Sequence, residues 1–307
     1  MKEVNLNYQI KAAAEAERKQ LINDLLKNKK VQDFLRENDL GDDFVNRYAF
    51  KLRKWLVSIS KCQNCKGLSE CRQEVEGEYY DIFYDKVLDI KIEKCNYALN
   101  KKAKEKHLKY FVYSDIPEPL NTLRFSDIEK NTDLASDIEY ANSYYQVFDW
   151  FHSSRDTGLF LSGSVGVGKT YILTAIANEY ALNKKRVAFI HVPTFVNYMK
   201  NIVYNDSDLY RRLLNRINNA NLVIFDDLGA ESVTHFVRDD LLLPILNFRM
   251  DNDSLTLFTS NEDFESLQDH YSNSKEGIEI IQGERVIERI KKLSNLINFI
   301  GSNKRHF

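Results

Sequence analysis

The sequence predicts an α/β domain in which helices cover both faces of a parallel sheet, and a small, mostly helical domain in front of it. Three observations predict this arrangement. Short apolar runs alternate with helical patterns in the second half of the 307 residues, a Gly-rich motif separates the first of these runs from the next helix, and the four cysteines are confined to residues 62–95. Alternating strands and helices are typical of a parallel sheet that is buried on both faces.

The composition is that of a soluble globular protein with two domains. Hydrophobic residues make up 43% and charged residues 29% of the chain, and only 4 prolines and 11 glycines are present. No apolar run is long enough for a membrane helix, and the first twenty residues lack the apolar core of a signal peptide, so we expect a cytoplasmic protein without a membrane partner. With a net charge of -2, any contact with nucleic acid requires a local basic patch.

Apolar residues at helical spacing predict that residues 1–115 form a helical domain. One helix is predicted over residues 9–38, and a second begins near Asp42 with a stripe of close to 3.6-residue period. Alternating apolar residues at 88–92 predict a strand, and the Lys-rich segment 97–109 predicts a further helix.

A linker is predicted over residues 116–135, because each of its prolines restrains the residue before it to an extended backbone. Residues 136–307 then form the second domain. Its predicted strands are the apolar runs at 158–161, 186–192, 221–225 and 255–259.

A complete phosphate-binding motif lies between the first of these strands and the predicted helix 171–180. It reads Gly-Ser-Val-Gly-Val-Gly-Lys-Thr, which matches G-x-x-x-x-G-K-[ST], and a chance Gly-rich turn is the alternative. Backbone N–H groups and the helix N-terminus favour phosphate oxygens, the Lys adds a charge near the β- and γ-phosphates, and the Thr hydroxyl is a ligand for Mg²⁺. The predicted ATP-binding residues are Gly163, Ser164, Val165, Gly166, Val167, Gly168, Lys169 and Thr170.

Two carboxylates follow the apolar run at 221–225, where the carboxyl end of a parallel strand places ligand-binding groups. We expect Asp226 to bind Mg²⁺, mostly through water, and Asp227 to orient or deprotonate the attacking water. A solvated pair of Asp residues at a strand end is the alternative.

The clustered cysteines predict a structural zinc site, because disulfides are rare in a reducing cytosol. Cys62 and Cys65 form a close pair, and Cys71 and Cys95 complete a set of four thiolate ligands. His107 is an alternative ligand in place of one Cys, and four reduced thiols without metal remain the other interpretation.

Two further segments carry a resemblance to a known family. Asn261 follows the apolar run at 255–259, at the sensor-1 position of AAA+ ATPases, and residues 283–290, Gly-Glu-Arg-Val-Ile-Glu-Arg-Ile, resemble the box with the arginine finger. Together with Asp-Asp-Leu-Gly-Ala-Glu at 226–231, they resemble the DnaC/DnaI/IstB branch of AAA+ proteins. The cysteine-bearing front domain is similar to that of DnaI-type helicase loaders.

The resemblance implies an AAA+ P-loop NTPase that loads a replicative DNA helicase. Residues 1–115 would bind the hexameric helicase, and the ATPase would deliver it onto single-stranded DNA during initiation or restart of replication. Because ATP sites of AAA+ proteins lie between subunits, self-association through the second domain is expected. Arg289 is the first candidate for the arginine finger and Arg285 the second, with surface ion pairs as the alternative, and Arg305 is the sensor-2 candidate.

Asp227 departs from the Glu that most AAA+ proteins carry as the second acid. Its shorter side chain sets the carboxylate back by one methylene, so we expect slow, switch-like hydrolysis.

Contacts with single-stranded DNA are expected on the segment after the second predicted strand. Phe195, Tyr198 and Lys200 would supply stacking and phosphate contacts, although core packing is the stronger interpretation for Phe195. The basic run at 101–109 is more typical of a solvated face than of a DNA site.

Parts of the sequence are also compatible with three other functions. A transposase-helper ATPase of the same branch normally lacks a cysteine-bearing front domain. The paired Asp226 and Asp227, with Asn261, argue against a small-molecule P-loop kinase. ATP turnover by the chain would exclude a scaffold that only binds nucleotide.

Overall fold

The structure is a computed structural model that describes residues 2–130, 133–153 and 157–304, without the side chains of residues 2–12 and 133. The chain divides into two compact units, residues 1–104 and 105–307. This division lies earlier than the boundary expected after residue 115.

The front unit combines helices with one antiparallel hairpin. The helix predicted over 9–38 is two helices, because Asn28 has an extended backbone and its side chain accepts the N–H of Lys30 at the start of the second. The elements are α1 (Lys2–Lys27), α2 (Lys29–Glu37), α3 (Asp42–Lys61), β1 (Glu78–Asp85), β2 (Val87–Lys94) and α4 (Asn96–Lys104).

A small apolar core joins α3 to the hairpin. Val45, Leu52 and Trp55 of the predicted stripe are buried together with Ile82 of β1 and Leu88 of β2. The strand predicted around residue 90 is confirmed as β2. Its partner β1 was not predicted, since aromatic and acidic residues along it do not alternate.

The second unit is built on six parallel strands. Its strands are β3 (Phe111–Ser114), β4 (Gly158–Ser162), β5 (Val187–His191), β6 (Leu222–Leu228), β7 (Thr256–Ser260) and β10 (Ser294–Asn298), with the short antiparallel pair β8 (Asn273–Ser274) and β9 (Gly277–Ile278) apart from the main sheet. The order across the main sheet is β10-β4-β7-β6-β5-β3. The four predicted strands are confirmed as β4 to β7, whereas the edge strands β3 and β10 were not predicted.

Helices cover both faces of this sheet, as the sequence predicted. Phe160, Ala188 and Phe225 point to one core, while their neighbours Leu161 and Phe189 point to the other. None of the described helices is both long and apolar enough to cross a membrane. The helices are α5 (Phe125–Glu129), α6 (Asp133–Ser136), α7 (Ile138–His152), α8 (Lys169–Leu182), α9 (Val192–Asn205), α10 (Ser207–Asn218), α11 (Leu243–Asp251, preceded by a π-helical segment Phe236–Leu242), α12 (Phe264–Ser272) and α13 (Ile280–Leu293).

The described residues 116–130 of the predicted linker pack in the second unit rather than forming a free linker. Its apolar residues Leu123, Phe125 and Ile128 are buried in the core shared with α7 and α8. The burial of these side chains holds the segment against the two helices, which the two prolines did not reveal.

Arg249 connects the loops that precede β6 and β7. These loops lie at the edge of the sheet opposite to the strand ends that carry Asp226 and Asp227. It is fully buried, and burial lowers its pKa to about 10, which still leaves the guanidinium charged near neutrality. The guanidinium donates hydrogen bonds to the carbonyl oxygens of Ile217, Asn218, Ala220 and Leu255 and to the hydroxyl of Thr256.

Candidate functional site

The main cavity of the second unit lies where the carboxyl ends of β5, β6 and β7 face the loop before α8. Its volume is about 850 Å³. This edge is where parallel α/β sheets bind ligands. The cavity is lined by P-loop residues (residues 163–170 form the P-loop) together with Asp226, Asp227 and Asn261.

The P-loop glycines adopt backbone conformations that other residues rarely reach. Gly166 has φ 84° and Gly168 has φ 105°. A Cβ added at Gly168 would lie 3.2 Å from a ring carbon of Tyr140, and one at Gly166 would overlap the side chain of Asn303. The backbone conformation therefore favours glycine at both positions, and a side chain would also require Tyr140 or Asn303 to shift.

Lys169 begins α8 and is buried at the floor of the cavity. Its Nζ donates hydrogen bonds to the carbonyl oxygens of Gly163 (2.6 Å) and Ser164 (2.9 Å) and to Oδ1 of Asn261 (2.8 Å). The ammonium group thus connects the P-loop with the end of β7. The two predicted residues Lys169 and Asn261 are brought together.

Asp226 is buried at the end of β6 and is held by two hydroxyl groups. Thr170 Oγ1 donates to its Oδ1 at 2.9 Å, with Oδ2 at 3.1 Å, and Thr259 Oγ1 donates to Oδ1 at 2.7 Å. Burial raises the pKa of Asp226, and the two hydroxyls oppose that rise. Carboxylate and hydroxyl oxygens are ligands that suit Mg²⁺, so Asp226 and Thr170 fit the predicted cation site.

Asp227 is half-exposed and lies at a backbone position with φ 60°. Such a conformation is unusual for a residue with a Cβ and marks a local constraint. Its N–H donates to Thr259 Oγ1 at 2.8 Å, and its Oδ1 accepts the amide of Asn261 at 2.9 Å. His191 Nε2 lies 3.8 Å from its Oδ2.

The two candidate finger arginines lie on α13, and neither lines the cavity of its own chain. Arg289 donates from Nε to Oδ1 of Asn247 at 3.0 Å and forms an ion pair with Glu288. Arg285 is exposed and bonds to Gln282 on its own helix. The sensor-2 candidate Arg305 lies outside the described residues.

The four cysteines are free, half-buried thiols of the front unit. Gln73 Nε2 donates to Cys62 Sγ at 3.1 Å. The donor set suits zinc chemically, but among the described side chains no three of these sulfurs lie within 4.8 Å of one another, so the ligands are not gathered. Zinc stays a prediction. His107 belongs to the second unit, where it is buried and its Nε2 contacts Asn121 O and Asn178 Oδ1, which argues against it as a substitute ligand.

The DNA-contact candidates on α9 divide according to burial. Phe195 is fully buried and packs on Tyr113, so the proposed stacking role is wrong for this side chain. Tyr198 is 40% exposed, and Lys200 is half-buried.

Sequence reasoning missed several residues of the cavity. Thr259 and His191 lie at or near the carboxyl ends of their strands, as Asp226 does, so this position was a usable signal. Tyr140 of α7 and Lys304 of the C-terminal segment also line it, and no sequence pattern marked them. Asp115, which accepts the N–H of His191 at 3.0 Å, was missed together with the edge strand that precedes it.

Comparison with known proteins connects this site to a family. The profile described as IstB-like ATP binding protein matches residues 121–292. The chain is similar to the replicative helicase loader DnaI of Bacillus subtilis (strain 168), with 30% identity over 292 residues that cover 92% of this chain and 91% of the relative. It is also similar to the replicative helicase loader DnaC of Escherichia coli (strain K12), with 26% identity over 154 residues, 50% of this chain and 56% of the relative. A crystal structure of DnaI matches with a TM-score of 0.51 and 30% identity, covering 62% of this chain and 97% of that chain.

Replacing Asp226 by Asn would separate stability from cation binding. Because the pKa of Asp226 is raised, its carboxyl group binds a proton more tightly in the folded protein than in the unfolded chain. The ionised carboxylate therefore lowers the free energy of unfolding as pH rises from the ordinary value of 3.8 through the folded pKa. At pH 7 we expect Asp226→Asn to raise the free energy of unfolding without nucleotide, and to lose the added stability that magnesium and ATP provide.

Urea unfolding with and without magnesium and ATP measures both effects, and the exposed Asp251→Asn on α11 is the matched control. A variant that keeps the full magnesium-dependent gain would show that Asp226 is not a cation ligand.

Proposed function

The chain belongs to the IstB-like ATP-binding family of AAA+ proteins, among the DnaI-type helicase loaders, and from this premise we propose that it is an ATP-dependent loader of the replicative DNA helicase. The similarity to DnaI over 292 residues carries the proposal, because it includes the front unit as well as the ATPase unit. The family profile begins only at residue 121. A transposase helper would share the second unit without the first.

The ATPase chemistry is assigned to the residues at the strand ends. The P-loop binds the phosphates of ATP through backbone N–H groups and Lys169, while Thr170 and Asp226 hold Mg²⁺. The cation, when bound, would neutralise charge on the phosphate oxygens. Asp227 orients the attacking water. The hydrogen bonds that unite these groups around Asp226 and Asn261 support the assignment.

Asn261 gives the site a means of reporting the γ-phosphate. Its Oδ1 accepts from Lys169, and its amide donates to Asp227. A γ-phosphate that accepts the Lys169 hydrogen bond would replace Asn261 Oδ1 as the acceptor. The hydrogen bond from the Asn261 amide to Asp227 would then change as well. We expect slow, switch-like hydrolysis, since Asp227 has a shorter side chain than the Glu that most AAA+ proteins carry at this position.

The arginine finger is proposed to come from a neighbouring copy of the chain. Arg289 is the first choice and Arg285 the second, and their absence from the cavity of their own chain supports a role in trans. Self-association through the second unit is therefore part of the proposal.

The finger assignment predicts complementation between two inactive variants. Arg289→Ala should bind ATP yet lose about 10³-fold in turnover, because the charge that develops on the γ-phosphate is no longer neutralised. Lys169→Ala should not bind ATP but keeps its arginine. An equal mixture should regain about a quarter of the active interfaces, since one pairing in about four joins an intact P-loop to an intact finger.

Steady-state ATP turnover of each variant and of the mixture measures this effect. Wild-type turnover by Arg289→Ala alone would move the role to Arg285, and an inactive mixture would contradict action in trans.

The front unit is proposed to dock on the hexameric helicase. The ATPase unit is proposed to contact single-stranded DNA weakly, with Tyr198 and Lys200 as candidates.

The loader function is tested by binding of the full chain to the purified replicative helicase of the same cell. It is also tested by helicase-dependent unwinding of a DNA substrate that is coated with single-strand-binding protein. We expect deletion of residues 1–104 to abolish binding while ATP binding by the second unit remains. Helicase binding that survives the deletion unchanged would contradict the assignment.

Zinc is proposed as the structural metal of the front unit, supported by four free thiols within residues 62–95. Binding would draw the sulfurs together and contribute to folding, as it does in small zinc domains. Elemental analysis should find one zinc per chain, and Cys95→Ser should lower both the zinc content and the melting temperature. A zinc-free protein with an unchanged melting temperature would remove the metal from the proposal.

A further inference from the structure

A groove on the front unit is not used by the nucleotide site. It lies between one face of α3 and the β1–β2 hairpin, and its volume is about 320 Å³. The groove is lined by large apolar side chains that are far more exposed than core residues. Phe50 is 68% exposed, Val57 49%, Val75 58% and Ile92 63%. Four such side chains gathered at one groove are the pattern of a binding surface, whereas scattered single ones would not be.

Cations from α3 flank this apolar floor. Arg53, Lys54 and Lys61 all line the groove. Lys54 Nζ lies 4.0 Å from the ring centroid of Tyr80, and within the described ranges neither Arg53 nor Lys61 forms an ion pair.

The acids of the groove offset these charges only in part. Glu74 and Glu78 line it, and Glu78 Oε1 lies 4.0 Å from Lys94 Nζ. Because Glu78 is already paired, Glu74 is the acid left to offset three cations, so the groove presents an apolar floor with excess positive charge along the α3 side.

We propose that this groove binds an amphipathic helix of the replicative helicase, with apolar side chains on the buried face and carboxylates beside them. The proposal rests on the proposed function, in which the front unit docks on that helicase. From Phe50 to Lys61 the α3 wall spans about 16 Å, or three helical turns. That length suits a partner helix that inserts anchors at i, i+3 or i+4, and i+7.

Charge complementarity selects this occupant over a second copy of the chain. Two copies meeting through the same groove would bring Arg53 and Lys61 of one against the same cations of the other, and like charges across an interface are unfavourable. An acidic partner helix would pair with them instead. DNA is also disfavoured, because only the flanking cations could contact its phosphates, and the apolar floor between them would have no matching partner.

Binding of the full-length chain to the purified replicative helicase tests the groove. Phe50→Ser removes an apolar anchor and Lys61→Glu reverses a flanking charge. We expect each to weaken binding about tenfold or more, and Lys61→Glu also to reduce the dependence of affinity on salt. The matched controls are Val87→Ser, at a 57% exposed position of β2 outside the groove, and Lys30→Glu on α2, both expected within about twofold of wild type.

The affinities are measured by biolayer interferometry at two salt concentrations, and melting curves confirm that each variant is folded. Folded groove variants that bind like wild type would overturn the inference and leave the loader intact. A wild-type chain that does not bind the helicase would remove the loader proposal itself. A change in the sedimentation of the chain alone on Phe50→Ser would assign the groove to a second copy and overturn the inference as well.

Discussion

The carboxylate of Asp226 is buried at the end of β6 and accepts hydrogen bonds from the hydroxyls of Thr170 and Thr259. Burying a carboxylate is costly unless polar partners satisfy it, so these two bonds are a condition for the site to exist. They connect α8, β6 and β7. Because Thr170 directly follows Lys169, the same contact sets how far the ammonium lies from the acidic strand end.

The remaining polar groups of the cavity are arranged around this contact. Lys169 and Asp227 share the side chain of Asn261, which places a cation, an amide and a carboxylate in one chain of hydrogen bonds. The left-handed backbone of Asp227 turns its carboxylate into this chain. In the proposed function, a phosphate that bonds to Lys169 would redistribute these hydrogen bonds, as a nucleotide-dependent switch requires. Arg289 does not line this cavity, and in the proposed function the arginine comes from a second copy of the chain.

The sequence predicted the strands whose residues are nearly all buried. It missed the strands whose residues differ in exposure. β4 to β7 are buried on both faces, which makes them nearly continuous apolar runs. β3 and β10 lie at the edges of the sheet and mix apolar with exposed positions, so no pattern marked them. Arg249 reads as an ordinary surface cation in the sequence, because nothing local shows the carbonyl groups that surround it.

The sequence by itself determined the phosphate-binding loop, the acids at the strand end and the family. A P-loop depends on a contiguous run of residues whose backbone and charge suit phosphate, and such a run is legible without any tertiary contact. Only the tertiary structure decided that Thr259 holds Asp226, that Phe195 is core, that His107 lies in the ATPase unit, and that an apolar groove flanked by cations opens beside α3. The physical reason is that each of these depends on groups far apart in the chain, and their distances are set by the packing of whole elements.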